Sequence, residues 1–139
     1  MSATLPLETL VRAADELVHE TAALRATVCE DAPVGDRPIH VETLGEDAAT
    51  LHDAACDLRA ALPDVEAAGE RFLDADACLH ELDARERMRA LDEVLLPRGG
   101  AWHPWIAVMR DELRRCRLAV RSVANALIRA WHDIHRRSR

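Results

Sequence analysis

The chain has 139 residues, of which 49% are hydrophobic, 31% charged and only 3% aromatic, and its formal net charge is −7. This composition excludes a disordered chain, and the scarcity of β-formers argues against a sandwich or a barrel. The acidic balance disfavours general binding to nucleic acid or to an anionic membrane surface.

Arginine is the sole basic residue type, with 18 copies and no lysine. Residues 1–101 hold nine arginines against 22 acidic residues, whereas residues 102–139 hold nine against three. The arginine and alanine bias is typical of a GC-rich bacterial genome. The four cysteines contain no CxxC pair, and no signal peptide or apolar stretch of about 18 residues is present. We therefore expect a cytoplasmic chain with reduced thiols and no membrane partner.

The first two segments show helical spacing of apolar residues. Residues 4–30 predict an amphipathic helix with Thr4 as its N-cap, and residues 31–40 predict a loop. In residues 41–62 the apolar positions alternate three and four apart over three heptads. These positions are Val41, Leu44, Ala48, Leu51, Ala55, Leu58 and Leu62. This period is typical of coiled-coil-like packing.

The third segment, residues 63–96, starts with the same rhythm from Val65 to Leu82. The pattern shifts at Glu86 and resumes at Met88, which predicts a stutter with a bend near residues 83–87. The resumed face also includes Leu91 and Leu95.

Residues 97–100, Pro-Arg-Gly-Gly, predict a break, and Pro104 suits the first turn of a new helix. Residues 104–136 then carry a broad apolar face and an Arg- and His-rich end. Apolar positions on this face are Trp105, Val108, Met109, Leu113, Cys116, Val120, Val123, Leu127, Trp131 and Ile134.

Four long helices with short links predict one all-α domain over residues 1–139, an antiparallel up-down-up-down four-helix bundle. The third and fourth helices are longer than the first two. The overhanging hairpin end favours pairing with another subunit, and a homodimer is expected.

An arginine stripe crosses the fourth helix. Arg110, Arg114, Arg117 and Arg121 step by four, three and four, so they share one face. The stripe is either a solvated face, a surface for an acidic helix of a partner, or less plausibly a phosphate site. Nucleic acid is the least favoured of these partners.

The tryptophans allow two interpretations. Trp102 and Trp105 flank the turn into the fourth helix, and Trp131 lies near its other end. They either plug the ends of the bundle or anchor a partner, since tryptophan is enriched at interface hot spots.

Metal binding is one alternative function, because every predicted helix carries His and Cys. Glu16-x-x-His19 fits a di-metal bundle once, and His52 stands one turn before Cys56. No four ligands cluster, so no metal site and no cofactor are predicted.

A second alternative rests on Arg129-x5-His135. This spacing resembles the loose pattern of the helical HEPN ribonuclease superfamily, whose members dimerise to build their site. The resemblance implies that Arg129 stabilises a pentavalent phosphate and that His135 acts as acid or base.

Other enzyme signatures are absent: there is no phosphate loop, nucleophile elbow or HExxH. The favoured function is therefore a non-catalytic adaptor or assembly module, such as a small component of a bacterial regulatory or defence complex. The arginine stripe and the three tryptophans are its candidate binding residues.

Overall fold

The computed structural model describes residues 5–33, 40–96 and 99–137, and within these ranges it contains helices and no strand. Helix α1 covers Leu5–Cys29, α2 Val41–Ala61, α3 Val65–Leu91 and α4 Trp102–Arg137. A short 3-10 helix, Glu93–Leu95, follows α3. The predicted all-α four-helix bundle is confirmed. Predictions for Thr4, for the middle of the first loop and for residues 97–98 lie outside the described residues.

Contacts between helices establish the antiparallel topology. Near one end of the bundle, Asp15 of α1 pairs with Arg59 of α2 at 2.6 Å. Near the other end, Cys29 Sγ donates to the Gly45 carbonyl. Each helix packs on the next along the chain, and α4 closes the ring against α1. The α3–α4 pair packs least closely of the four.

The core is one cluster of buried apolar side chains that draws on all four helices. In α2 the residues that alternate three and four apart are buried as predicted: Val41, Leu44, Ala48, Leu51, Ala55, Leu58 and Leu62. Each buried leucine contributes about 1.5–3 kcal/mol relative to an exposed one. The small alanines between them let neighbouring helices approach closely.

The α2–α3 turn places the start of α3. The Leu62–Pro63 peptide is cis. Asp64 is the N-cap of α3, where its side chain accepts a hydrogen bond from the Ala67 backbone N–H at 3.1 Å. The helix therefore begins at Val65, two residues after the predicted start.

The predicted stutter in α3 is wrong. The helix runs without interruption from Val65 to Leu91, and the buried row continues from Leu82 to Glu86 and Arg89. Arg89 is completely buried, and Glu86 is nearly so. The helical period sets which face a residue occupies, and here it takes two charged side chains inward because each supplies the other's counter-charge.

Helix α4 starts two residues earlier than predicted and ends one residue later. Three side chains assigned to its apolar face are exposed: Val108, Trp131 and Ile134. Their neighbours Met109, Ala130 and Asp133 are buried, so these turns are covered and the three side chains point away from the core. No described helix is long and apolar enough to cross a membrane.

Candidate functional site

The arginine stripe lies on the side of α4 next to α3, and two of its members bind α3 and its 3-10 extension within the chain. Arg110 reaches Glu93 at 2.6 Å and Glu86 at 3.3 Å. Arg117 donates to Asp83 at 2.9 Å. These pairs bridge the loosest helix contact of the bundle. Half of the stripe is therefore engaged by carboxylates of the same chain.

The other two stripe members point to solvent. Arg114 is 61% exposed and pairs with Asp111, three residues before it on the same helix. The hydrogen bond from Arg114 lowers the pKa of the Asp111 carboxyl below its ordinary value. Arg121 has no ion pair among the described residues. Arg114 and Arg121 are thus the two arginines of the stripe without an α3 partner.

Two of the three tryptophans are interior residues. Trp102 and Trp105 are less than 10% exposed, and their rings meet edge to face at 5.4 Å. Trp105 Nε1 donates to the Thr27 carbonyl of α1 at 2.9 Å. They cover one end of the bundle, so their contacts fit the plug interpretation. Trp131 is 44% exposed and stacks on His135 at 3.6 Å.

A second row of side chains, apolar except for His80, lies on the solvent side of α3. The predicted stutter wrongly joined two of its members, Met88 and Leu91, to the inner face. We call this second row the outer row; its members are Leu73, Ala77, His80, Ala84, Met88 and Leu91, and all of them are exposed. Leu73 and Leu91 keep 66% and 72% of their surface. Successive members stand three or four residues apart, which is the spacing of a coiled-coil contact face. The outer row is therefore shaped for a helix.

Two ion pairs locate the edges of the outer row. On the α4 edge Asp83 binds Arg117, and on the α2 edge Arg85 binds Asp47, so these charges are compensated within the chain.

The remaining charges differ between the edges. Arg87, one turn from Asp83, stands on the α4 edge, where Arg114 and Arg121 of the neighbouring helix add positive charge. Asp76 also lies on this edge, and it contacts His80 at 3.4 Å.

The opposite edge is acidic. Glu81, one turn before Arg85, and Asp74 lie toward α2, and both are exposed. Asp74 has only a 3.8 Å contact with Arg71. The outer row thus runs between a basic edge and an acidic edge.

The ribonuclease pair does not converge within one chain. A separation of six residues places Arg129 and His135 about 120° apart on α4 and about 9 Å along its axis. Arg129 lines an open groove of about 710 Å³ between α1 and α4, which also holds Glu16 and Glu20. A phosphate there would meet two carboxylates. A dimeric ribonuclease site stays a prediction.

The metal candidates also remain dispersed. In residues 5–33, 40–96 and 99–137, no three His, Cys, Asp or Glu side chains converge where they could hold a metal ion. His52 and Cys56 do approach each other, with 3.6 Å between Nε2 and Sγ.

A smaller apolar groove of about 220 Å³ lies between the start of α3 and the end of α4. Gly69 forms part of its wall, and a Cβ at this position would meet no atom within 4 Å. Ile128 and Trp131 line the opposite wall.

Comparison with known proteins gives no relative: no family model, no curated protein and no solved structure matches this chain.

Proposed function

We propose that the protein is a non-catalytic helical assembly module that binds a second copy of itself through the outer row of α3. The observation that carries this proposal is the exposed row itself, from Leu73 to Leu91. Single exposed apolar residues are normal on a protein surface, whereas a row with three-and-four spacing along a helix is the pattern that a partner helix buries.

The composition of the outer row suits close helix packing. Ala77 and Ala84 are small, so two helix backbones can approach at the middle of the contact. Leu73 at one end, and Met88 and Leu91 at the other, supply the apolar area. Burying an exposed leucine contributes about 1.5–3 kcal/mol, and in a symmetric dimer each leucine counts twice.

The charges at the edges favour a parallel pair of α3 helices. With a two-fold axis along the helices, the basic edge of one copy meets the acidic edge of the other on both sides of the contact. By the register that the Arg117–Asp83 pair sets, Arg121 of one copy then faces Glu81 of the other at nearly the same height. Arg114 and Asp74 lie about 8 Å further along the helix axis, on opposite sides of this pair. An antiparallel pair would place like edges together and repel. The edges therefore select orientation, while the apolar row supplies affinity.

Sedimentation velocity over a range of protein concentrations tests the apolar contact. We expect the wild-type chain to form a dimer and the double variant Leu73→Glu/Leu91→Glu to remain a monomer, with a Kd weaker by at least about a hundredfold. Leu118→Glu is the matched control, because Leu118 is also an exposed leucine (51%) but lies on α4 outside the row.

Two results would contradict this proposal. One is a wild-type chain that stays monomeric at the highest concentrations. The other is equal weakening of the dimer by the control and by the double variant. Circular dichroism of each variant confirms that the monomer is folded, since all three positions lie on the surface.

Charge reversal tests the edges. Arg114→Glu/Arg121→Glu makes both edges acidic, and Asp74→Arg/Glu81→Arg makes both edges basic. Each variant alone is expected to dimerise more weakly than wild type at low salt, and an equimolar mixture is expected to recover a dimer. A mixture that stays monomeric, while the wild type dimerises, would show that these edges do not meet.

A further inference from the structure

A line of three side chains crosses the α1–α2 contact, away from the outer row. Thr21 of α1 is completely buried, and its Oγ1 lies 3.1 Å from Nδ1 of His52. His52 Nε2, on the other side of the ring, lies 3.6 Å from the Sγ of Cys56. His52 and Cys56 stand one turn apart on α2 and are both partly exposed.

The hydrogen bonds of Thr21 determine which nitrogen of the His52 ring carries the proton. Thr21 has one hydroxyl proton, and it is directed to the backbone carbonyls of Leu17 at 2.8 Å and Val18 at 3.1 Å. The Thr21 oxygen therefore accepts from His52 Nδ1–H, which leaves the lone pair of Nε2 facing the thiol. Cys56 Sγ–H donates to this nitrogen.

This geometry is that of an activated nucleophile. Nε2 is placed to take the thiol proton when the sulfur attacks an electrophile, and Thr21 holds the ring in the orientation that the transfer needs. A thiolate is the reactive form of cysteine toward electrophiles. Partial exposure of Cys56 gives small reagents access to the sulfur.

The other three cysteines have no such arrangement. The exposed Cys29 donates to the Gly45 carbonyl at 3.4 Å. Burial and the nearby Glu81, Asp74 and Asp47 raise the pKa of the Cys78 thiol. Burial raises the pKa of Cys116 to about 12. The reactivity of Cys56 can therefore be compared with that of three other thiols in the same chain.

We propose that Cys56 is a modification site for small electrophiles, of which hydroperoxides are the physiological class. The Cys56 sulfur attacks one oxygen of the peroxide, the O–O bond breaks, and the sulfur is oxidised to a sulfenic acid. The departing oxygen takes the proton that His52 removed from the thiol, so a hydroperoxide ROOH leaves as the alcohol ROH. This activity is separate from the proposed assembly function, because the site lies on the α1–α2 side.

Competitive alkylation tests the reactivity of Cys56. The folded wild-type chain is treated briefly with iodoacetamide, and the modified fraction of each cysteine is measured by peptide mapping. Cys56 is expected to react faster than Cys29, although Cys29 is the more exposed thiol. A Cys56 rate equal to or below that of Cys29 would overturn the proposal, and this comparison needs no variant.

Two substitutions test the mechanism. His52→Gln is expected to slow alkylation of Cys56 by about tenfold or more while leaving Cys29 unchanged. Thr21→Val keeps the volume and removes the acceptor for Nδ1, so it is expected to produce a smaller loss. His19→Gln, an exposed histidine on α1, is the matched control. An unchanged rate of Cys56 alkylation in His52→Gln and in Thr21→Val would contradict the role of His52.

The peroxide reaction has its own readout. Wild-type chain exposed to hydrogen peroxide in the presence of dimedone, which traps sulfenic acids, is expected to carry the adduct on Cys56 before any other cysteine. Adduct formation on Cys29 first, or on all exposed thiols equally, would show that Cys56 is no more reactive than an ordinary thiol and would overturn the proposal.

Discussion

In its last turns, α3 carries on each face the opposite of what that environment usually selects. The inner face ends in Glu86 and Arg89, both charged and both buried, whereas the outer face carries Met88 and Leu91 in solvent. Charge is accepted inside because Arg89 donates from Nε to Glu86 at 2.6 Å. At this end of the helix, the helical period together with an available counter-charge decides which row faces the core, and the polarity of the residues does not.

The sharpest test of this difference is to remove one member of the buried pair. Glu86→Ala is expected to destabilise the fold by about 3–5 kcal/mol, because Arg89 would keep a buried charge without a carboxylate. Denaturant unfolding at neutral pH measures the loss. The double variant Glu86→Leu/Arg89→Met is expected to recover most of it, since apolar residues of similar volume avoid both charges. A double variant no more stable than Glu86→Ala would show that the pair itself contributes to stability.

A matched leucine pair compares the two rows directly. Leu82→Ala on the inner row is expected to cost about 2–5 kcal/mol in the free energy of unfolding, because it leaves a cavity. Leu91→Ala on the outer row is expected to change the stability of the monomer by less than about 0.5 kcal/mol. Both are measured by denaturant unfolding at low protein concentration. Equal losses would mean that Leu91 is buried in the monomer.

Glu112 can be compared with Glu86, because it is a partly buried carboxylate with no buried arginine beside it among the described residues. Its Oε1 accepts from Thr27 at 2.8 Å, while its Oε2 is buried and has no partner in the part of the chain that the structure describes. Burial raises the pKa of Glu112 above its ordinary value, against the opposing effect of the Thr27 hydrogen bond. The folded state thus binds this proton more tightly than the unfolded state does.

The sign of the pH effect follows. The stability contributed by protonated Glu112 is complete below the ordinary carboxyl pKa and is lost as pH rises through the raised pKa. Glu112→Gln is therefore expected to be more stable than wild type at neutral pH, with the difference shrinking as pH falls. Unfolding curves at several pH values check this. A difference that is constant with pH would contradict it.

Much of the fold is predictable from spacing alone. The alternation in α2 identifies its buried face, and the four-helix order follows from short links. The burial of Glu86 and Arg89 in α3 is not predictable in the same way. The inner and outer rows of α3 have the same spacing, and beyond Leu82 the outer row is the more apolar of the two. The ion pair between Glu86 and Arg89 in the folded structure explains why the charged row is the buried one.

The candidate sites show the same limit. The sequence places the arginine stripe on one face, but the capture of Arg110 and Arg117 by α3 depends on the register between helices. His52 and Cys56 are one turn apart in any α-helix, so their approach is predictable. Thr21 lies 31 residues earlier and comes into reach only through the α1–α2 packing.

All four joints of the ring have apolar packing on the inside, but the joint between α3 and α4 has the least of it. Arg110 and Arg117 bridge this joint to carboxylates of α3 and its 3-10 extension, and both arginines are nearly half exposed. Ion pairs in contact with water weaken as mobile ions accumulate around them. Rising ionic strength is therefore expected to loosen the α3–α4 edge more than the α1–α2 and α2–α3 edges, whose own ion pairs are backed by closer packing.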